Sequence, residues 1–198
     1  MSLIKLNNNA VKNINSLANV GTGDLVFISK ATASSSASIE FSLGSYKEYK
    51  FFFVNMQPSL DRYGLQFQFS TDSGSTYATT ITSTNFRAYH TESDSSAVLA
   101  YNGGEDLAQS TSFQNLMQSI GNASDESGSG YLDIFNPSST TYVKHFMSDS
   151  NFYYGSGDYC MRFFIAGYAN TTSALTNIKF QMSSGNIDDG KILMFGLN

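Results

Sequence analysis

The stretch Glu48–Tyr77 constrains the fold of this chain more than any other, because it contains two consecutive segments with strand periodicity. The first segment is apolar on both faces of an extended strand, with Tyr49, Phe51 and Phe53 on one face and Phe52, Val54 and Met56 on the other. The second segment, Leu65–Ser70, alternates apolar and polar side chains. Since a strand that is apolar on both faces is normally covered on both, we expect the first segment to be central in a layered β-fold.

Similar strand signals, separated by polar turns, recur along the rest of the chain and are not interspersed with regular helices. We therefore expect an all-β fold, an antiparallel β-sandwich or jelly roll with one short helix. The length suits one domain, residues 24–198, preceded by an N-terminal arm, residues 1–23. The predicted strands are Asp24–Lys30, Ser38–Ser42, Glu48–Met56, Leu65–Ser70, Thr76–Thr82, Asn85–Tyr89, Tyr131–Phe135, Thr141–Met147, Tyr159–Tyr168, Leu175–Ser183 and Lys191–Leu197. The predicted main core is formed by Phe51, Phe53, Phe67, Phe69, Phe163, Ile165, Ile178 and Phe180.

The one predicted helix is Thr111–Ile120. Its apolar residues have helical spacing and are Phe113, Leu116, Met117 and Ile120. Thr111 and Gln114 have the spacing of a capping box, and Gly121 follows as a C-terminal stop. We expect this helix to pack through its apolar side on the outside of a sheet.

Charge and cysteine content exclude several classes of protein. The net charge is −5 and the basic residues are scattered, so the chain lacks the basic footprint of a nucleic-acid-binding protein. No apolar run has the length of a membrane span, and the first 17 residues contain no apolar core of a signal peptide. We therefore expect synthesis in a cytoplasm and no membrane insertion. The single cysteine, Cys160, cannot form an internal disulfide, and we expect it to be a small buried residue.

The arm, residues 1–23, is rich in asparagine, a weak helix former, although Val11, Ile14 and Leu17 fit one helical face. Two interpretations stay open for it: a flexible tail or lead-in strand, and an arm that docks on a neighbouring subunit.

The segment Ser70–Tyr77 matches the Asp-box pattern S-x-D-x-G-x-T-aromatic. In that pattern the aspartate folds back onto the turn backbone, and the glycine supplies a positive φ. Because the motif occurs once here, whereas sialidase-like propellers repeat it in every blade, we interpret it as a plain hairpin turn.

The titratable residues do not form a recognisable catalytic or metal-binding motif. His90 with Glu92 and Asp94 is a candidate weak cation site, and the Asn122–Glu126 loop is a candidate calcium site that lacks EF-hand spacing. The acidic pairs Glu105-Asp106 and Asp125-Glu126 lie in loops that we expect to be solvated, and adjacent residues of a strand face opposite ways, which does not suit a glycosidase. The second histidine, His145, lies in VKHFM, and a Ser-His-Asp triad stays open because spatial adjacency cannot be read from sequence. We expect no catalytic, cofactor-binding or metal-binding residues, no cofactor and no enzymatic activity.

Five segments taken together resemble a family of small virion proteins of tailed, often marine, bacteriophages. They are GDLVFISKATASSSASIEFS, YKEYKFFFVNMQPS, LQFQFSTDSGSTY, NPSSTTYVKHF and SSGNIDDGKILMFGL, and the resemblance covers nearly all of residues 20–197. It implies a β-sandwich component of the particle, tail-fibre or fibre-like, with no established catalytic residues. It also implies a virion location after synthesis in the host cytoplasm. From the apolar positions of the arm and the lack of catalytic residues we expect a homo-oligomer, and the resemblance to fibre proteins favours a trimer.

Three functions stay open at this point. The first is a non-enzymatic virion structural protein that attaches to a host surface glycan or to other virion proteins. The Ser-, Thr-, Tyr- and Asn-rich composition, which resembles that of antibody binding surfaces, favours this function. The alternatives are a capsid decoration protein and a depolymerase that acts on surface polysaccharide.

Overall fold

The computed structural model describes residues 25–198, which form twelve β-strands and no helix in that range. The arm proposed for residues 1–23 lies outside the described residues. The strands are β1 (Val26–Thr32), β2 (Ile39–Ser42), β3 (Glu48–Pro58), β4 (Leu65–Ser70), β5 (Ile81–Thr91), β6 (Ala97–Tyr101), β7 (Gln114–Asn115), β8 (Gly128–Phe135), β9 (Lys144–Tyr154), β10 (Tyr159–Ala169), β11 (Asn177–Met182) and β12 (Ile187–Leu197).

The strands form two antiparallel sheets that pack as a sandwich, which confirms the predicted fold class. The large sheet has the order β1-β12-β3-β8-β9-β10-β5-β6, and the small sheet has the order β2-β11-β4-β7. All neighbouring strands in both sheets are antiparallel. Strand β3 lies inside the large sheet, as its apolar character predicts.

The space between the two sheets is filled mainly by phenylalanine. Phe180 of the small sheet meets Phe51 and Phe53 of the large sheet, with ring centroids 5.3 Å apart in both pairs. Phe67 meets Phe146 in the same way at 5.2 Å. All eight predicted core residues are buried, so the predicted core is confirmed. The core is therefore formed by the side chains that alternate onto the inner face of each strand, and not by any local motif.

The predicted helix Thr111–Ile120 is wrong. The segment is extended: Gln114 and Asn115 pair with β4, and the backbone N–H groups of Leu116 and Met117 donate to the Leu65 carbonyl. Leu116, Met117 and Ile120 are fully buried, so the helical spacing identified core residues but not their backbone conformation. Hydrogen bonds to the edge of β4 override a weak local helical preference. Gln114 is also no capping residue, because its side chain is buried and bonded to Ser83 and to backbone carbonyls.

Several strand boundaries also differ from the prediction. Residues 76–80, predicted as part of a strand, are not in one. Strand β6 lies where no strand is predicted, and β9 continues to Tyr154, beyond the predicted end at Met147. The predicted strand ends too early in β9 because Ser148 and Ser150 are polar, although they occupy inward-facing positions at which an alternating strand normally has apolar residues. Their hydroxyls are satisfied by the carbonyls of Tyr131 and Leu116, at 2.8 and 2.5 Å.

The second face of β3 is not covered by the small sheet, contrary to the expectation for this strand. A bulge between Phe53 and Met56, where Asn55 has a φ of 51°, returns Met56 to the buried face. Phe52 is half-buried and Val54 is 41% exposed on the opposite face. The large sheet therefore presents apolar side chains to solvent, and this face is the candidate functional surface.

Candidate binding surface

The outer face is defined here as the side of the large sheet that points away from the small sheet. One line of directly opposed residues crosses it from β12 to β6. This line, the aromatic row, consists of Leu193, Phe52, Tyr131, Asp149, Phe164, Phe86 and Tyr101. Side chains directly opposed on one face of a sheet lie about 4.5–5.5 Å apart at Cβ, so the row is nearly continuous.

Large apolar side chains are exposed across the whole outer face. The most exposed are Leu99 (75%), Phe27 (55%), Met147 (54%), Tyr101 (49%), Phe86 (47%), Val54 (41%) and Phe164 (38%). The opposite surface of the sandwich differs, because β2 and β11 there carry an ion pair between Glu40 and Lys179 at 2.8 Å. Contiguous exposed apolar patches of this kind mark interaction surfaces.

The aromatic side chains on the outer face support each other through edge contacts. Phe195 lies between Phe27 and Phe52, with ring centroids 5.5 and 5.6 Å away. At the other end of the face, the rings of Phe86 and Tyr101 are 5.4 Å apart. Such contacts fix the ring orientations, so a ligand or partner meets a preformed surface.

Two ion pairs interrupt the aromatic side chains, and each is combined with a cation–π contact. The Lys50 ammonium lies 2.7 and 2.8 Å from the Asp133 carboxylate oxygens and 4.3 Å from the centre of the Tyr131 ring. On the neighbouring strands, the Arg162 guanidinium donates to both oxygens of Asp149, at 2.8 and 2.6 Å.

Arg162 also covers the Phe164 ring at 4.2 Å. Its hydrogen bonds to the Asp149 carboxylate raise the pKa of the guanidinium. Both charges of each pair are therefore held by protein partners, and the surface carries no excess charge at these points.

An open depression of about 730 Å³ lies on the outer face between β8 and β5. It forms because the small side chains of Ser129, Ala88 and Cys160 lie beside the taller Tyr131 and Arg162. Its volume is within the usual range of about 300–1,000 Å³ for ligand sites. The outer face therefore offers a flat apolar surface and a recess within it.

Cys160 is exposed in the floor of this depression, so the expectation that it is buried is wrong. Its neighbours Met161 and Phe163 face the core, and strand periodicity directs Cys160 outward. Its sulfur lies 2.7 Å from the Asn151 side-chain nitrogen.

The Asp-box segment folds back on itself as predicted. Asp72 accepts hydrogen bonds from the Ser70 hydroxyl at 2.6 Å and from the Thr76 N–H and hydroxyl at 2.9 and 2.7 Å, while Gly74 has a φ of 86°. The bonds from Ser70 and Thr76 lower the pKa of Asp72 to about 2. The segment is not a hairpin, however, because β4 and β5 belong to different sheets. It is a turn within a crossover, and its carboxylate is fully used by the turn.

The candidate cation sites do not assemble. The His90 ring nitrogen Nε2 contacts Asp94 at 3.0 Å, and Glu92 joins the turn through its backbone N–H to Asp158. In the Asn122–Glu126 loop, the Glu126 carboxylate accepts the N–H of Ala123. Residues 25–198 contain no group of three or more His, Cys, Asp or Glu side chains placed to hold a metal ion.

Two further candidates from the sequence, Glu105 and His145, lie in different environments. Glu105, expected to be solvated, is half-buried, and its carboxylate accepts hydrogen bonds from the amides of Asn115 and Gln118. Burial raises the pKa of Glu105. His145 is exposed and lies 6.1 Å from the Tyr168 ring, measured between ring centres. Within the described range, no helix is long and apolar enough to cross a membrane.

The outer face itself was missed by sequence reasoning, although a signal for it was present. The segment Glu48–Met56 is apolar on two faces, a pattern from which we expect coverage of both faces. In a sandwich of two layers a strand has one buried face, so an apolar second face indicates an interaction surface.

No protein-family model, curated protein or solved structure matches the chain significantly.

Proposed function

We propose that this protein is a non-enzymatic structural component of a tailed-bacteriophage virion, tail-fibre-like, that attaches the particle to a host surface or to another virion protein. The observation that carries the proposal is the outer face, a broad exposed apolar surface with an open depression. The sequence resemblance supplies the virion context. The host surface glycan and other virion proteins are the proposed partners, bound by several copies on one particle.

The chemistry of the outer face suits binding better than catalysis. Aromatic and arginine side chains dominate the energy of protein interfaces, and Tyr131, Phe164 and Arg162 are central on this face. The carboxylates of Asp133 and Asp149 are each bound by a basic side chain of the same face, Lys50 or Arg162. Repeated weak contacts by many copies give strong attachment because each later contact forms at high effective concentration.

Binding is tested with the purified protein and host cells, by comparing the wild type with Phe164→Ala. Phe164 is central on the outer face, and its loss should weaken cell binding at least tenfold, a change of about 1.4 kcal/mol. The matched control is Tyr142→Ala, an aromatic residue that is 70% exposed and outside the strands of the large sheet. Equal binding by the two variants would remove the outer face from the proposal.

The location on the particle is tested by immunogold labelling of intact virions. Labelling of the tail supports the attachment function, whereas labelling of the head favours capsid decoration by the same outer face. Incubation with purified host polysaccharide tests the non-enzymatic assignment, because release of oligosaccharides would identify a depolymerase and contradict it.

A further inference from the structure

Strand β6 is an edge of the large sheet and lacks the features that usually protect an edge strand. Its sequence, AVLAY, contains no charge and no proline, and its register with β5 is continuous. In residues 25–198, β5 is the only strand that pairs with it. Natural edge strands are usually blunted by lysine, proline, bulges or a covering segment.

The opposite edge strand of the same sheet, β1, has features that protect it against pairing with another strand. Its ladder with β12 is interrupted by a bulge between Phe27 and Ser29, and Lys30 is exposed within the strand. Both features oppose the addition of another strand. The asymmetry makes β6 the edge that is available for pairing.

The side chains of β6 suit antiparallel pairing with a second copy of the same strand. In a pair centred on Leu99, each Leu99 faces its equivalent, and each Ala97 faces the larger Tyr101 of the other copy. These three residues are on the outer face and are exposed in the single chain. Small side chains thus oppose large ones. Leu99, which is 75% exposed in the single chain, would be covered by Leu99 of the second copy.

We propose that two copies of the chain pair through β6 about a twofold axis perpendicular to the sheet, forming one continuous sheet of sixteen strands. A twofold axis is the commonest symmetry of homo-oligomers, and it generates the antiparallel arrangement that the large sheet already uses. The resemblance implied a trimer, so this arrangement is a different expectation for the assembly.

The pairing places both outer faces on the same side of the joined sheet. Each face crosses eight strands, about 34 Å at about 4.8 Å between neighbours, so the combined surface is about twice as wide. In this respect the inference deepens the proposed function, because it specifies the self-association. The pairing itself requires no host and is tested without one.

The acidic residues near β6 add a salt dependence. In the proposed dimer, the turn between β5 and β6 of one copy, which contains Asp94, lies beside the Tyr101 end of β6 in the other copy. Asp106 is also at that end, because it accepts a hydrogen bond from the Tyr101 hydroxyl. Since like charges approach each other there, added salt should strengthen the dimer by screening them.

The first experiment is sedimentation equilibrium on the full chain. The wild type should give twice the chain mass of 21.6 kDa. Leu99→Lys should weaken association at least tenfold, because it places two ammonium groups at the axis. Its matched control is Thr84→Lys, an exposed outer-face residue of β5, which is covered on both sides by strands and should leave the dimer intact. Circular dichroism establishes that both variants keep the fold.

The second experiment tests the register with cysteine crosslinking in a Cys160→Ser background. Leu99→Cys should form a covalent dimer under mild oxidation, because directly opposed residues have Cα atoms about 4.5–5.5 Å apart, within disulfide range. Ala97→Cys should not, because two Ala97 positions would be about 14 Å apart, four residues along the strand and one strand spacing across. A wild type that is still a monomer at about 100 µM would have a Kd for dimerisation above about 100 µM and would overturn the proposal. A trimer mass, or equal crosslinking of both variants, would also overturn it. Absence of host-cell binding by a wild-type protein that still forms the dimer would count against the proposed function alone.

Discussion

Phe180 is the side chain whose removal should damage the core most. It is fully buried on β11, and its ring meets four others, those of Phe41, Phe51, Phe53 and Phe67, at centroid distances of 5.3–6.5 Å. Truncation of a buried Phe to Ala costs about 3–5 kcal/mol through lost transfer energy and the cavity left behind. Because each aromatic pair adds about 0.5–1.5 kcal/mol, Phe180→Ala should lie at the upper end of that range.

The assay is equilibrium unfolding in urea, followed by tyrosine fluorescence and circular dichroism. With an m-value of about 2 kcal/mol/M, a loss of about 4 kcal/mol lowers the midpoint by about 2 M. That loss is a large fraction of the total of about 5–15 kcal/mol that stabilises a typical domain. The matched control is Phe86→Ala, which removes a ring that is 47% exposed on the outer face.

Phe86→Ala should change the free energy of unfolding by less than about 1 kcal/mol, since an exposed residue loses little on truncation. If Phe180→Ala cost no more than Phe86→Ala, the inter-sheet ring cluster would not be the centre of the core. A midpoint shift with a strongly altered m-value would indicate a change in the unfolded state instead.

Three other perturbations follow from the geometry. Gly64→Ala should destabilise the fold, because a Cβ there would lie 2.1 Å from the Met117 carbonyl oxygen, whereas Gly104→Ala, with open space around it, should be neutral in thermal melting. Gln114→Ala should lower the free energy of unfolding in urea by about 1–3 kcal/mol, because it leaves buried hydrogen-bond partners unpaired. Thr111→Ala should change it by less than about 0.5 kcal/mol. A larger loss for Thr111→Ala than for Gln114→Ala would indicate that Thr111 caps a helix after all. Since the folded pKa of Asp72, about 2, lies below its ordinary value, its stabilising contribution is complete above that ordinary value and is lost as pH falls towards 2. Urea midpoints from pH 6 to 2.5 should therefore fall more steeply for the wild type than for Asp72→Asn, and parallel curves would contradict this.

The fold class and the core were predictable because both depend on local alternation. Phe67 and Phe69 point the same way in any strand that contains them, whichever strand is their neighbour. The order of strands was not predictable, because it depends on contacts between distant segments. Ser70 and Ile81 are eleven positions apart yet lie in different sheets, and no local pattern marks that separation.

The errors have a common physical origin in tertiary contacts, which the local sequence pattern does not specify. The spacing of Leu116, Met117 and Ile120 fits a helix, but their backbone groups bond to Leu65 and Tyr63. The outer face was missed for a related reason, because an apolar residue on the second face of a strand has the same sequence signature whether a layer or a partner covers it. No part of the outer face could be predicted, whereas the turn around Asp72, which lies outside that face, could be, since its hydrogen bonds are local.

The position of β12 between β1 and β3 has a consequence for biosynthesis. The first described strand cannot join the large sheet until the last one is present, because β1 pairs with β12 and not with β3. A nascent chain on the ribosome therefore holds β1 and the exposed edge of β3 without partners until β12 has emerged. Contacts of such long sequence separation slow folding. The large sheet is therefore completed only after β12 has left the ribosome, when β12 can pair with both β1 and β3.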